Sequence, residues 1–236
     1  MTLSVLPGNL PSLQNNSRLA CTAHRLRHQR GQSPTGRCHL YMKPNMRDRQ
    51  VIRHHIRHLR RQLSDEQQQL AAIQAAEKAL NFAPLQQAKN IALFLSVDGE
   101  LNTRPLIARL WQRQQNVYLP VLHPFSSGNL LFMHYDRYTD LKLNRLHIPE
   151  PPLDIRHLLP LSELDVMMVP LVAFDSAGQR LGMGGGFYDR TLQNWQQHGF
   201  LPVGLAHDCQ QVAELPAAKW DVPLPALITP SKIWQW

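Results

Sequence analysis

Long apolar runs are missing from this chain of 236 residues. Nothing approaches the ~18 consecutive apolar residues of a membrane-crossing helix, so no such helix is expected. Cysteine is scarce: of three, Cys21 and Cys38 lie near the start and Cys209 stands alone in the rest. That number and spacing exclude a disulfide framework and the zinc motifs, and Cys209 reads as a packed thiol. Acidic residues are absent from residues 1–45, which carry six Lys/Arg. Residues 47–61 then hold six Arg against one Asp, so residues 62–236 carry a net charge of −3 although the whole chain carries +8. The basic character is confined to one helix and the segment before it. With no strip of alternating aromatic and basic residues, this argues against an RNA or DNA footprint. The expected protein is cytoplasmic, with neither a membrane nor a nucleic acid as partner.

Residues 1–45 mix Pro, Asn, Ser, Gln, Arg and His without period and lack the apolar core of a secretory signal. They are expected to be disordered. Met42 and Met46 stand just ahead of regular structure, which suggests an over-extended reading of the gene start, with the domain proper at 46–236.

Val51, Ile52, Ile56, Leu59 and Leu63 recur near a 3.6-residue period and predict an amphipathic helix over 47–63, with Arg and His on its other faces. Ser64-Asp65-Glu66-Gln67 is a capping box that starts a second helix, to about Phe82. His54 and His58 lie one turn apart, but without a third ligand they read as a solvated face. Beyond that point strands and helices alternate. Strands are predicted at 90–97, 116–122, 130–135, 164–169, 201–206 and 226–229, and helices at 103–114 and 186–197. The runs NIALFLSV and LDVMMV are apolar on both alternating faces, as in a doubly covered sheet. The expected fold is therefore α/β: a single-domain, three-layer α/β/α architecture with a largely parallel sheet. In such sheets ligands gather at the carboxyl ends of the strands, which puts Ser96–Glu100 and the glycine-rich segment at 180–189 on one rim.

That segment holds the densest signal. Arg180-Leu181-Gly182-Met183-Gly184-Gly185-Gly186-Phe187-Tyr188-Asp189 packs four glycines into five positions ahead of a helix. Glycines let successive peptide N–H groups converge on an anionic oxygen, and Arg180 adds a fork that matches phosphate. The run is not a dinucleotide fingerprint, since Phe187 stands where the last glycine belongs, and no Gly-Lys-Ser/Thr follows to make a P-loop. Taken singly, neighbouring candidates have plain alternatives: Leu95 as core, Arg53 as a solvated charge, Glu100 as a helix cap, Asp221 as a turn residue. A sugar-phosphate-processing or small-molecule-binding domain on the same plan is the competing reading.

FLSVDGE at 94–100, VPLVAFD at 169–175, the glycine segment, the Arg-rich first helix and the closing WDVPL at 220–224 and ITP at 228–230 occur in one order. In these motifs, over about residues 47–236, the chain closely resembles the 5-formyltetrahydrofolate cyclo-ligase family. The resemblance implies an ATP- and Mg2+-dependent ring closure of 5-formyltetrahydrofolate to 5,10-methenyltetrahydrofolate by a monomer. It puts the nucleotide against Arg49, Arg53, Arg180, Leu181, Gly182, Met183, Gly184, Gly185, Gly186, Phe187 and Tyr188, and magnesium at Asp189 and Asp221. It puts folate against Leu95 and Glu100, with Met183 to Phe187 lining its side of the loop. Tyr188, beside the formyl group, and Arg180 are implied as catalytic. The chain departs from the usual pattern at Arg49, where relatives usually have lysine, and at Met183 and Gly185, which are often basic.

Overall fold

The computed structural model describes residues 48–236. The expectations for residues 1–45 lie outside them. Helix α1 (Arg49–Arg61) begins where the Asp48 carboxylate accepts the Gln50 N–H at 2.8 Å. The capping box that opens α2 (Asp65–Leu80) is reciprocal: Ser64 Oγ accepts from Gln67 N at 3.2 Å, and the Gln67 side chain accepts from Ser64 N at 2.9 Å. Pro84 sits in the first turn of a short α3 (Ala83–Gln87), where its missing N–H costs nothing. Strand β1 (Asn90–Ala92) then enters the sheet, followed by α4 (Arg104–Gln112), β2 (Asn116–Leu122) and β3 (Leu130–Tyr135).

Three short pieces follow: β4 (Lys142–Leu143) and β5 (Pro149–Glu150) form a hairpin, and β6 (Leu158–Leu159) pairs with β3. Strand β7 (Val166–Val169) is central, and β8 (Ala173–Phe174) pairs with β9 (Arg180–Leu181) in a second hairpin. Helices α5 (Phe187–Leu192) and α6 (Trp195–His198), then β10 (Leu201–Leu205), β11 (Ala226–Ile228) and β12 (Ile233–Gln235), complete the chain. The main sheet runs β12-β11-β10-β7-β1-β2-β3-β6; its inner five strands are parallel, and β12, β3 and β6 pair antiparallel at the two edges.

Alternation along β7 divides the core. Val166 and Met168 face the layer that holds α2 and α4, while Met167 and Val169 face the layer of α5, with Leu192 and Phe200. All four are essentially inaccessible, so the sheet is covered on both faces, as the three-layer expectation required. Helix α1 lies instead against the β8–β9 hairpin: Ile52 and Ile56 pack with Val172, Ala173 and Leu181. Burying each isoleucine stabilises that docking by about 2 kcal/mol.

The structure corrects several boundaries. The strand expected to reach Val97 loses its regular pairing after Ala92, although Leu93, Phe94 and Leu95 stay buried. Leu93 N still donates to Tyr118 O at 2.9 Å. The helix expected over 186–197 is two helices, parted at Asn194, whose backbone (φ −125°, ψ 35°) is not helical and whose carbonyl starts α6. The helices expected to reach Phe82 and Gln114 end at Leu80 and Gln112. Strand β12 and both hairpins are too short to show a period, and none was anticipated. Nor are all the α1 arginines solvated. Arg60 is 0% exposed.

Arg60 belongs to a clamp. Val97 to Glu100 form a tight turn, with the Glu100 N–H donating to Val97 O at 3.0 Å and positive φ at both Asp98 (53°) and Gly99 (72°). Three arginines of α1 hold the Asp98 carboxylate: Arg57 Nε at 2.5 Å, Arg61 Nε at 2.6 Å and Arg60 Nη2 at 3.3 Å. Burial would raise the Asp98 pKa, but the hydrogen bonds from Arg57 and Arg61 hold it below its ordinary value. Asp98→Asn is therefore expected to lower the free energy of unfolding by about 2–4 kcal/mol, because Arg60 would be left buried without its counter-charge. Arg57→Gln, at an exposed partner, should cost under about 1 kcal/mol. Urea unfolding of both variants checks this. Because the folded pKa is depressed, the Asp98 contribution is present at neutral pH and lost on acidification, so the Asn variant should converge on the parent in acid.

Candidate functional site

The segment after β1, the segment after β7, the glycine loop, the β4–β5 hairpin and the loop at 219–222 enclose one cleft of about 1230 Å³ at the carboxyl ends of the strands. A single small ligand occupies some 300–1000 Å³, so this cleft has room for two. Its two ends differ in chemistry.

One end is cationic and glycine-rich. Arg49 of α1 forms a bidentate pair with Asp221, Nη1 to Oδ2 at 2.5 Å and Nη2 to Oδ1 at 2.8 Å, and also donates to Pro216 O. Arg53, one turn on, donates Nε to Gly182 O at 2.8 Å and so ties α1 to the loop. Arg180, 3% exposed, donates Nη2 to Asp189 Oδ1 at 2.5 Å, while its Nε has no partner. The loop is shaped by Gly184 (φ 104°) and Gly186 (φ 68°), backbone positions that residues with a Cβ rarely adopt. Gly186 caps α5 directly, which brings Tyr188 and Asp189 onto the first turn. Arg190, which the sequence reading passed over, braces the loop from the helix side: Nη2 donates to Gly185 O at 2.7 Å and Nε to Gly128 O at 2.9 Å.

The other end is apolar, with Glu100 as its one buried carboxylate. Phe94, Leu95, Leu119 and Pro120 form its wall, joined by Leu146 and Ile148 of the β4–β5 hairpin. That hairpin is fastened by Glu150, whose Oε2 accepts from Leu122 N at 3.1 Å and from Asn144 Nδ2 at 2.8 Å. Glu100 is 9% exposed; its Oε2 accepts from Val97 N at 3.2 Å, and Arg60 Nη1 lies 3.9 Å from its Oε1. Burial, only partly offset by the Val97 N–H and by Arg60, pushes the Glu100 carboxyl up to about 7. It does not cap α4, whose first-turn N–H, that of Arg104, is taken by Asn102. Tyr188 stands between the ends, its phenol pushed above the ordinary value by burial first and by the Glu100 carboxylate second.

Of the residues singled out in the sequence, Arg49, Arg53, Leu95, Glu100, Arg180, Gly182 to Asp189 and Asp221 all border this cleft. Leu181 is the exception. Its side chain is 1% exposed and packs under α1 with Ile52 and Ile56, because strand alternation points it away from its neighbour Arg180. Asp221 is both a turn residue and an ion-pair partner: Oδ2 also accepts from Ala218 N at 2.7 Å. His54 and His58 lie exposed on α1, and among the described residues no group of three or more His, Cys, Asp or Glu could hold a metal. Missed altogether were Arg190 and the hairpin wall. Arg190 carried a usable signal, one helical turn beyond the glycines; the hairpin carried none.

A family profile described as the 5-formyltetrahydrofolate cyclo-ligase family matches residues 45–230. A 5-formyltetrahydrofolate cyclo-ligase of Escherichia coli K12 is 60% identical over 181 residues, covering 77% of this chain and all of the relative. One from Haemophilus influenzae is 55% identical, covering 76% of this chain and 96% of the relative. Among solved structures, a 5,10-methenyltetrahydrofolate synthetase of Aquifex aeolicus superposes with a TM-score of 0.69 at 26% identity, covering 79% of this chain and 92% of that one. The Mycoplasma pneumoniae 5,10-methenyltetrahydrofolate synthetase gives 0.62 at 23% identity, covering 78% of this chain and 99% of that one, and bears on the fold.

Folding pushes the Glu100 carboxyl up to about 7, from 4.5 in the unfolded chain. Between those values the folded chain holds a proton that the unfolded chain has released, so stability falls as pH rises through this window. Glu100→Gln should accordingly raise the free energy of unfolding by roughly 1–3 kcal/mol at about pH 8, with no difference at about pH 4. Denaturant titrations at the two pH values check the sign.

Proposed function

This chain belongs to the 5-formyltetrahydrofolate cyclo-ligase family and converts 5-formyltetrahydrofolate to 5,10-methenyltetrahydrofolate; from that premise we propose that ATP drives the ring closure inside the two-ended cleft. The observation that carries this reading is the union, in one enclosed space, of a glycine loop with three arginines and an apolar wall with a single buried carboxylate. The unit that does this is assigned to residues 46–236, acting as a monomer in the cytoplasm.

An N-formyl oxygen is a poor leaving group. In the proposed sequence it attacks the γ-phosphorus of ATP, and the bond to ADP breaks. N10 then attacks the formyl carbon and gives up its proton, and the carbon–oxygen bond breaks to release phosphate and close the ring. The protein has little covalent work to do; it positions groups and neutralises charge. Arg49, Arg53 and Arg180 take the phosphates together with the N–H groups of Gly182 to Phe187, and the unpartnered Nε of Arg180 is a donor already desolvated for that purpose. Leu95 lies against the pterin, and Glu100 accepts its N–H groups. Tyr188, kept protonated at neutral pH, donates to the formyl oxygen where the two substrates meet.

Asp189 and Asp221 fit a magnesium ion of the substrate–metal kind. Both present hard carboxylate oxygens at the phosphate end, and Asp189 Oδ2 accepts no hydrogen bond from the described residues. Two carboxylates with water and phosphate oxygens are the usual set for this ion. When bound, the ion would neutralise charge on the transferring phosphoryl group.

Absorbance in the methenyltetrahydrofolate band should rise when the protein is mixed with 5-formyltetrahydrofolate, ATP and magnesium, and stay flat when ATP is omitted or EDTA is added. A flat trace from folded, ATP-binding protein would move the assignment to another phosphate-handling reaction. Arg180→Ala should raise the KM for ATP at least tenfold (~1.4 kcal/mol or more) while changing that for folate little. Equal effects on the two constants would count against assigning the ends in this way.

A further inference from the structure

Asp98 needs only two arginines. Arg57 and Arg61, both partly exposed, already donate to its two oxygens. Bringing a third guanidinium out of water to the same carboxylate is costly, and its bond there is the longest of the three, at 3.3 Å. Arg60 is nonetheless 0% exposed, with its Nε unpartnered. Its remaining contacts lead elsewhere. Nη2 donates to Asp98 O at 3.0 Å and Nη1 to Leu171 O at 3.4 Å, so the fork is fixed between the two rim segments, and Nη1 then stands 3.9 Å from Glu100 Oε1.

That separation is too long for a hydrogen bond but well within Coulomb range. Oε1 accepts no hydrogen bond from the described residues, so the carboxylate meets a positive charge without losing the lone pairs that a ligand would use. Other groups around Glu100 do not duplicate this charge. Asp98, on its own turn, is anionic and opposes ionisation; Tyr188 of α5 is neutral. His207, on the segment after β10, is pushed down to about 4 by burial and by Arg60, so it is neutral at physiological pH.

We infer that Arg60 is a positioning residue for folate recognition, fixing the turn that carries Glu100 and placing a positive charge beside its carboxylate while leaving its Oε1 free for the pterin. This rests on the reading that Glu100 contacts the folate. Arg60 itself is sealed behind Glu100 and does not border the cleft.

The test is a double-mutant cycle on the full chain: Arg60→Lys, Glu100→Gln and the pair, with Arg57→Gln as a control that weakens the Asp98 clamp alone. Arg60→Lys loses the fork and, one bond shorter, withdraws the charge from the Nη1 position beside Glu100, yet retains the best chance of folding. It should raise the KM for 5-formyltetrahydrofolate about five- to tenfold, leave the KM for ATP within about twofold, and move the acid limb of kcat/KM for folate to higher pH. In the Glu100→Gln background the same change should alter the folate KM less than about twofold. Arg57→Gln should leave the acid limb in place. Additive effects of Arg60→Lys and Glu100→Gln, or an unmoved acid limb, would overturn the inference while leaving the folate assignment standing. An unchanged folate KM in Glu100→Gln alone would overturn that assignment and the inference with it.

Discussion

The bond between helix α1 and the Asp98 turn is the constraint on which the cleft depends. The turn has two consecutive left-handed residues, Asp98 and Gly99, and the first is not glycine. Such a backbone persists only where its surroundings over-determine it. Here the surroundings are three arginines on the carboxylate and the backbone of Arg60 against Gly99, where an added Cβ would come within 3.3 Å of the Arg60 carbonyl. The clamp fixes the C-terminal half of α1 on the rim. Helical rigidity then fixes the N-terminal half, so that Arg49 and Arg53 reach the glycine loop and Asp221 two to three turns away. One helix thus sets the distance between the carboxylate end and the cationic end.

At the cationic end, two of the three arginines are paired with carboxylates of the protein itself. Arg49 is matched to Asp221 and Arg180 to Asp189, each through hydrogen bonds of 2.5 Å. An unpaired Arg180 at 3% exposure would be expensive; the pair lowers that cost and also orients both members. On the proposed reading, a triphosphate with its cation would present both kinds of partner, anionic oxygens for the arginines and a positive ion for the aspartates. Exchange of partners would then keep the number of charge-assisted contacts and give the glycine N–H groups an anionic acceptor.

Much of the layered fold was legible because the sheet is buried on both faces. Apolar runs such as LDVMMV leave little choice of environment, and the capping box at Ser64–Gln67 marks a helix start with two reciprocal bonds. What could not be read were the elements defined by long-range pairing of two or three residues: β4 with β5, β8 with β9, β12 along β11. Their side chains are too few to carry a period, and the hairpin that walls the apolar end is held by Glu150, whose partner Leu122 lies on a different strand. The site residues were legible as types and spacings, since glycines, arginines and carboxylates have restricted chemistry. The burial of Arg60 was not: on a helix already carrying four other arginines, nothing in its spacing distinguishes it from Arg57 or Arg61.

At Gly185, one of the loop positions expected from the sequence to depart from the usual family pattern, the local geometry is tight. A Cβ added at Gly185 would stand 2.8 Å from the Phe187 ring, so a longer side chain there requires that ring to move. The Phe187 ring lies instead under Arg190, whose guanidinium carbon is 5.9 Å from the ring centre and whose Nη2 is bonded to Gly185 O. Positive charge beside the glycines is thus delivered from the following helix turn rather than from the loop itself. Mounted on α5 and braced against Gly128, that charge is held by two elements and would lose little conformational freedom on meeting an anion. With Arg53 fastened to Gly182 from the opposite side, the loop is gripped at both shoulders, and its backbone N–H groups are set in place by arginines that do not belong to it.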